Sequence, residues 1–435
     1  MQSLLHDQRV GIITPYEYAA TITEVCQSNL KEVKGAFPLK NNTRAAINWL
    51  SLEEQEWRYL LSANADSSID LWDTNSGEGI NEGEKITRLI HVPRKSAHTY
   101  GVLCIQWYPR DTGMFVTSSF DHTVKVWDTN EFSPVHEFNV DQRVYSIDVL
   151  ESATVAVGLD QLFIRLLDLR SAASAHTLSG HKGKTLSVKW HPLHTNVLAS
   201  GGYDGEVRIW DIRRSKSCLC RLDMLKTADG DDITEFNYVK HIRIPSVKAH
   251  LGPVNGLTWD SSGTLLYSAG NDDKVRVWDM TLPSPPPTNL LINFGPLTRN
   301  KYPQTIPLLL NHRHESNSPM LFFPSDNGDV YGFRAADGKL ICRLHRSSST
   351  KFTAQQDRTT AMVRGSPFLS KYIHGTANGA LVMWAPMFDL PTATQVFGDL
   401  VHDDDEEYEL ISTVEAEQKR LCLRQEAKRK GIELG

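Results

Sequence analysis

A chain of 435 residues, 40% hydrophobic and 23% charged, has the composition of a soluble globular protein with room for two or three ordinary domains or one large all-β domain. No apolar run reaches the about 18 residues of a membrane span, and the opening MQSLLHDQRVGIITPYEY has no basic region followed by an apolar core, so neither insertion nor secretion is expected. The formal charge of -6 argues against a surface given over to nucleic acid, and its source is local, since Asp403 to Glu407 and Glu409 carry six negative charges.

Residues 1–44 form a leading arm. Leu4, Leu5, Gln8 and Arg9 fit a short helix ending at Gly11, and Tyr16 to Cys26 fit a second after Pro15. Three readings stay open for the arm: a solvated extension, a docking segment, or, over Ile22 to Val33, an outer strand that completes the last sheet of a ring.

From 45 to 390 one unit recurs. Its fullest copy is Gly180 to Arg214, GHKGKTLSVKWHPLHTNVLASGGYDGEVRIWDIRR. A Gly-His pair opens it, apolar runs follow at Leu186, Val188 and Trp190 and at Val197 to Ser200, and a tight turn carrying Asp204 leads into Val207 to Asp211, which reads as three strands and two turns. In four copies a Ser or Thr stands ten residues before a Trp and an Asp six before it: Ser62, Asp66, Trp72; Thr117, Asp121, Trp127; Ser200, Asp204, Trp210; Ser268, Asp272, Trp278. His98, His181 and His250 open three of the four, and the first copy lacks its histidine.

These residue types suit a hydrogen-bond chain that pins the turn to the strands. A carboxylate in the turn accepts from an imidazole, which bridges to a hydroxyl, which meets an indole N–H. Asp66, Asp121, Asp204 and Asp272 are therefore read as structural. Three degenerate copies follow the same outline: Thr154 to Arg170 with Gln161 and Leu167, Met320 to Arg334 ending on Phe333, and Lys371 to Trp384 with Asn378. Before each Trp position, residues one and three back are mostly apolar and the residue two back is often charged (Lys125, Arg165, Arg208, Arg276), the period of a strand. Small sheets of this kind must pack on one another, and seven close into a ring. The expected fold is all-β, a seven-bladed propeller with a short helical arm and an acidic then basic tail over 391–435. Leu222 to Val247 and Pro283 to Pro287 are expected to be surface connections, and Lys428-Arg429-Lys430 is a candidate nuclear address.

Groups for catalysis are scarce. The chain has no G-x-S-x-G, phosphate-cradling loop or H-E-x-x-H, and His312-Arg313-His314 reads as a solvated loop, so no enzyme activity, metal or cofactor is expected. The six cysteines, Cys26, Cys104, Cys218, Cys220, Cys342 and Cys422, lack zinc or redox spacing and are expected to be reduced. Two rims remain as binding surfaces. Residues preceding the turn Asp, namely Ala65, Phe120, Tyr203 and Asn271, should share one rim, with Phe120 and Tyr203 as candidate partner anchors or as packing for their own loops. The end of the third strand, Trp210-Asp211-Ile212-Arg213, should lie on the other.

The unit resembles a WD repeat. LASGGYDGEVRIWDIR, Leu198 to Arg213, is similar to the WDxR box of substrate receptors for cullin-4 ubiquitin ligases, in which that Arg lies at the contact with the adaptor, damage-specific DNA-binding protein 1. Other copies lack it: Thr74-Asn75, Thr129-Asn130 and Met280-Thr281 follow the remaining Trp-Asp pairs, and Asp168-Leu169-Arg170 has Leu167 for the Trp. Ile105 to Asn130, IQWYPRDTGMFVTSSFDHTVKVWDTN, resembles the second repeat of the Cockayne syndrome A family, and its runs Gln106-Trp107-Tyr108-Pro109 and Asp111 to Phe115 go well beyond what a generic repeat requires. That resemblance implies a nuclear, non-catalytic substrate receptor of a cullin-4 RING ligase in transcription-coupled nucleotide excision repair. Its partners would be the adaptor, cullin-4, the RING subunit, a Cockayne syndrome B-type ATPase and RNA polymerase II, without sequence-specific contact to nucleic acid. Leu4, Leu5 and Arg9 stand where the family has adaptor-binding helices, and with Trp210, Asp211 and Arg213 they make up the expected adaptor face. The alternative is a propeller scaffold in chromatin or RNA processing with no ligase attached.

Overall fold

A computed structural model describes residues 9–33, 36–37, 45–74, 86–94, 96–109, 111–214, 218–226, 247–281, 287–311, 319–346, 358–365 and 371–386. The chain divides into 1–387 and 388–435, and the second part, with the acidic run, Cys422 and Lys428-Arg429-Lys430, lies outside the described residues. So do Leu4, Leu5, His312-Arg313-His314, 227–246 of the insertion and 282–286 of the proline run.

Seven antiparallel four-stranded sheets follow one another around an axis. Their first strands, Ile47–Leu52, Val102–Trp107, Val144–Val149, Thr185–Trp190, Val254–Trp259, Leu309–Leu310 and Thr359–Arg364, sit innermost, and neighbouring first strands touch around a closed ring. We number the sheets as blades 1 to 7 in that order. Inner and middle strands are covered on both faces, so Val207–Asp211 is buried throughout, whereas the outermost strand of blade 3, Ala173–Ser179, faces solvent at all but one position. The core is accordingly a set of seams between blades. One seam joins Ala199 and Ile209 of blade 4 to Val254, Leu257 and Trp278 of blade 5, and another joins Ile47 of blade 1 to Ile373 and Met383 of blade 7. At about 25 cal/mol per Å² of apolar area, such seams are the main source of stability.

The ring is closed by the arm. Leu30–Glu32 pairs with Leu381–Pro386 in the register Leu30 to Pro386 and Glu32 to Trp384, supplying the outermost strand of blade 7. Only these three residues do so, because Ile22 to Ser28 continue a helix, α1 (Pro15–Ser28). Its start is specified locally: the Glu17 amide donates to Thr14 Oγ1 at 3.2 Å, the Thr14 amide donates to Glu17 Oε2 at 2.9 Å, and Pro15 occupies the first turn. Ala20 and Gln27 bury one side of α1, which touches the outer strand of blade 6 and the last strand of blade 7.

Between blades 5 and 6 the chain runs without a strand from 290 to 308 and crosses the axis. The Thr305 hydroxyl lies 3.3 Å from the Tyr145 carbonyl and 3.0 Å from that of Leu186, while the Ile306 amide donates to Asn255 O at 3.0 Å and Arg358 Nη2 donates to Gln304 Oε1 at 2.7 Å. Blades 3, 4, 5 and 7 are thus tied to one segment over the mouth of the axial channel. Among the described residues no helix is long and apolar enough to cross a membrane, and the described cysteines are free.

Candidate functional site

Each complete blade carries the hydrogen-bond chain end to end. In blade 4 Trp210 Nε1 donates to Ser200 Oγ at 2.7 Å, Ser200 Oγ lies 2.8 Å from His181 Nε2, and His181 Nδ1 lies 3.2 Å from both Asp204 oxygens. The carboxylate can only accept, so the neutral ring carries its proton on Nδ1 and its Nε2 accepts from the hydroxyl, which in turn accepts from the indole. Blade 2 repeats this through Trp127, Thr117, His98 and Asp121 at 2.9, 2.8 and 2.8 Å, and blade 5 through Trp278, Ser268, His250 and Asp272 at 2.9, 2.7 and 2.9 Å. Burial acts to raise the Asp204 carboxyl, but the bonds from His181 and from the Lys182 and Glu206 amides outweigh it and hold the group at about 2. Asp121 and Asp272 are depressed in the same way. Two glycines make room: a Cβ on Gly202 would strike His181 Nδ1 and Asp204 Oδ1, and Gly205, at φ +79°, takes the turn through the left-handed region.

Blade 1, without the histidine, keeps the bond from Trp72 Nε1 to Ser62 Oγ at 3.1 Å, while Asp66 accepts from the Ser68 amide and hydroxyl and from Arg94. Blade 7 substitutes a residue that the sequence pattern does not single out. His374, ten residues before Trp384, takes the hydroxyl's place, its Nδ1 accepting from Trp384 Nε1 at 3.0 Å. That bond requires an unprotonated Nδ1, and burial pushes His374 down to about 3.

The turns between second and third strands bring Phe120 and Tyr203 to one rim, where the crossing segment also lies. Tyr203 is 49% exposed; Phe120 is half-buried, its ring 5.6 Å from Tyr145 in an edge contact. Two residues outside the repeat pattern join them. Tyr145 is the second residue of the inner strand of blade 3, and Lys184 Nζ stands 5.0 Å from its ring and 5.2 Å from that of Tyr203. Arg143 caps Phe120 at 6.0 Å. Lys184 Nζ also donates to Tyr145 Oη at 3.3 Å, so this aromatic band is faced by two cations, Arg143 and Lys184. Asn271 is turned inward, donating to Lys301 O at 3.2 Å, and Ala65 is exposed on the same rim.

The opposite rim carries the ends of the first and third strands. Trp210 is 0% exposed and offers no surface, and Asp211 is buried behind Arg213. Arg213 Nε and Nη2 donate to the two Asp211 oxygens at 3.0 and 2.9 Å, and the Arg213 amide donates to Oδ1 at 3.0 Å. The pair lowers the Asp211 carboxyl and raises the guanidinium, whose side chain is 67% exposed. Beside it a groove of about 570 Å³ is lined by Leu193, His194, Asn196, Leu219 and Pro287. Arg170 is arranged differently: its Nη2 donates to Ser152 O at 2.6 Å, which ties it to its own blade. Arg9 lies exposed ahead of α1. Among the described residues no group of His, Cys, Asp and Glu is placed to hold a metal ion.

Comparison with known proteins matches residues 89–128, 173–211 and 242–279 to the model described as WD domain, G-beta repeat. WD repeat-containing protein ATCSA-1 of Arabidopsis thaliana is 31% identical over 323 residues, covering 59% of this chain and 71% of the relative. Radiation-sensitive protein 28 of Saccharomyces cerevisiae is 28% identical over 339 residues, covering 74% of this chain and 64% of that one. Ribosome biogenesis protein ytm1 of Neosartorya fischeri is 28% identical over 198 residues, 40% of each chain.

Proposed function

The chain belongs to the Cockayne syndrome A family of WD-repeat proteins, and from that membership we propose that it is the substrate-recognition subunit of a cullin-4 RING ubiquitin ligase acting in transcription-coupled nucleotide excision repair. It works in the nucleus without an active site of its own. One rim holds the adaptor, damage-specific DNA-binding protein 1, and through it cullin-4 and the RING subunit. The other holds stalled-polymerase repair factors such as a Cockayne syndrome B-type ATPase with RNA polymerase II. Catalysis is then by proximity, as target lysines are kept at high effective concentration near a ubiquitin-charged enzyme.

The observation that carries the reading is Arg213. Its guanidinium is exposed yet clamped by Asp211 through Nε and Nη2, so its outer edge is presented with little rotamer freedom left to lose on docking. Leu4, Leu5 and Arg9 of the arm are the second half of the proposed adaptor face. On the opposite rim, Phe120 and Tyr203, joined by Tyr145 and Lys184, supply aromatic anchors with a cation between them. The similarity to ytm1 favours one alternative, a scaffold in RNA processing with no ligase attached. Purification from cells under gentle lysis separates the two: recovery of adaptor and cullin supports the ligase reading, and their absence alongside recovered preribosomal proteins supports the scaffold.

A further inference from the structure

The outermost strand of blade 5 stops short. In blades 2 and 3 the outer strands Ser133–Asn139 and Ala173–Ser179 pair with every residue of the third strands, Thr123–Asp128 and Phe163–Asp168. In blade 4 the Leu222 amide carries the ladder up to Val207 O at 3.0 Å. In blade 5 the outer strand is Thr288–Asn289, which pairs only with Asp279 and Trp278, and the last ladder bond runs from the Leu290 amide to Val277 O at 3.0 Å. The chain then turns away. Leu291 sits at φ +56° with its amide donating to Asn289 Oδ1 at 3.1 Å. Asn289 is itself tied to the chain leaving blade 4, its amide donating to Lys226 O at 2.8 Å and its Nδ2 to Met224 O at 3.0 Å. The upper half of the third strand, Lys274 to Arg276, is left without a described strand beside it.

The ladder itself identifies the groups left over. Residues of an antiparallel strand turn N–H and C=O together, alternately to one neighbour and to the other. Val277 O points outward to Leu290, so Val275, two residues back, points both of its groups outward as well. Its counterparts three residues before the Trp of blades 2 and 4 are answered, since Val124 pairs with Phe138 and Val207 O accepts from Leu222. Val275 has no such bond on its outer side among the described residues. Its side chain lies in the core with Tyr267 and Phe294, so what it offers outward is backbone. A groove of about 490 Å³ runs there, lined by three consecutive residues, Lys274, Val275 and Arg276, and by Met224, Leu225 and Ile292. Charges round it balance: Arg276 Nη1 donates to Asp272 Oδ2 at 2.8 Å, and Asp273 and Lys274 stand exposed with opposite signs.

We propose that the open edge of blade 5 is a docking site for an uncharged, apolar, extended segment of a partner protein, which adds as the missing upper half of the outermost strand. A donor and an acceptor on one residue, side by side at a sheet edge, are matched together by the backbone of another strand. Water answers the same two groups but leaves the side chains of Met224, Leu225 and Ile292 wet, whereas an extended apolar chain also covers them. The balanced charges favour neither an acidic nor a basic guest. At about 3.3 Å per residue, a guest of about three residues spans Lys274 to Arg276. The site lies away from Arg213, on a different blade, and does not rest on the ligase reading.

The test titrates the full chain, labelled with ¹⁵N-valine, with a capped peptide of about five alternating valine and threonine residues, chosen for their preference for strands. Val275→Ile removes and so assigns the Val275 amide signal; should that variant fail to fold, protection of the 274–277 amides from hydrogen exchange reads the same event. The peptide is expected to move the Val275 signal saturably while that of Val207 stays in place. The same peptide methylated on every amide nitrogen keeps its side chains but loses its donors, and should bind about tenfold more weakly or worse. Leu291→Asp, at a lining residue 59% exposed, should weaken binding about fivefold with an unchanged melt. A Val275 signal that stays in place, or equal binding of the methylated peptide, overturns the site. Binding that appears only once residues 227–246 are deleted gives the edge to the chain's own insertion and equally overturns a site for a partner. Because the titration uses this protein alone, either failure leaves the adaptor reading standing, and failure of the adaptor reading leaves the titration unaffected.

Discussion

Asp204 accepts from His181 and from the amides of Lys182 and Glu206, three donors that its loss would strand inside the turn. Asp204→Ala is therefore expected to lower stability by about 1–3 kcal/mol and to weaken every partner together. Denaturant melts check the first, and loss of one partner with an unchanged melt would mean that Asp204 is a contact and not scaffolding. The carboxyl is depressed in the folded ring to about 2 from an ordinary 3.8, so its contribution is complete above about pH 4 and is lost as pH falls toward 2. Histidines act earlier. Burial holds His374 near 3 and His191 near 4 against an ordinary 6.5, so the folded ring keeps them neutral, and their contribution, complete above 6.5, is lost as pH drops from there toward 4. Melting temperature should thus decline between pH 6.5 and 4, and His374→Asn should flatten that decline; an equal slope in the variant would count against the assignment. His181, Ser200 and Trp210 were legible from fixed offsets, because one geometry needs the same residue types in each copy. His374 was not, since it meets the indole from the hydroxyl's position with a different chemistry, and Tyr145 and Lys184 were not, since they reach Phe120 and Tyr203 from separate strands.

The three residues Leu30–Glu32 do for the ring what their length does not advertise. They cover the last strand of blade 7, and the helix before them, α1, lays Ala20 and Gln27 on the same side of the molecule. Deleting residues 1–11 should leave the melting point unchanged, whereas deleting 1–33 removes the ladder bonds, the burial of Leu30 and the helix face, and should cost about 3 kcal/mol or more. Equal melts for the two deletions would contradict closure by the arm. On the rim, truncating Phe120 and Tyr203 together to Ala should cost about 2 kcal/mol in binding a repair partner while adaptor binding survives, and isothermal titration with each partner decides this. Middle strands were readable because apolar runs and turn residues flank them. The inner strand of blade 6 has only two residues, Leu309–Leu310, and 290–308 has no period at all; both are specified by contacts across the axis, such as Thr305 to Tyr145 and Leu186, that no local pattern records.

Seven blades closed into a ring give the molecule two faces with different resources. The face of the turns carries aromatic rings with Arg143 and Lys184 set against them, and the face of the strand ends carries a clamped Arg213 beside a groove. A receptor that joins a ligase to its target needs two such faces, held at a fixed separation by a stiff body. The adaptor face is the part on which the proposed function turns, and binding of purified adaptor to four forms of the protein measures it: wild type, Arg213→Ala, a deletion of Met1 to Gly11, and both changes together. The expected result is weaker capture by each single variant and none by the double variant, with circular dichroism spectra and melting points alike in all four. Full capture by a folded double variant would contradict it.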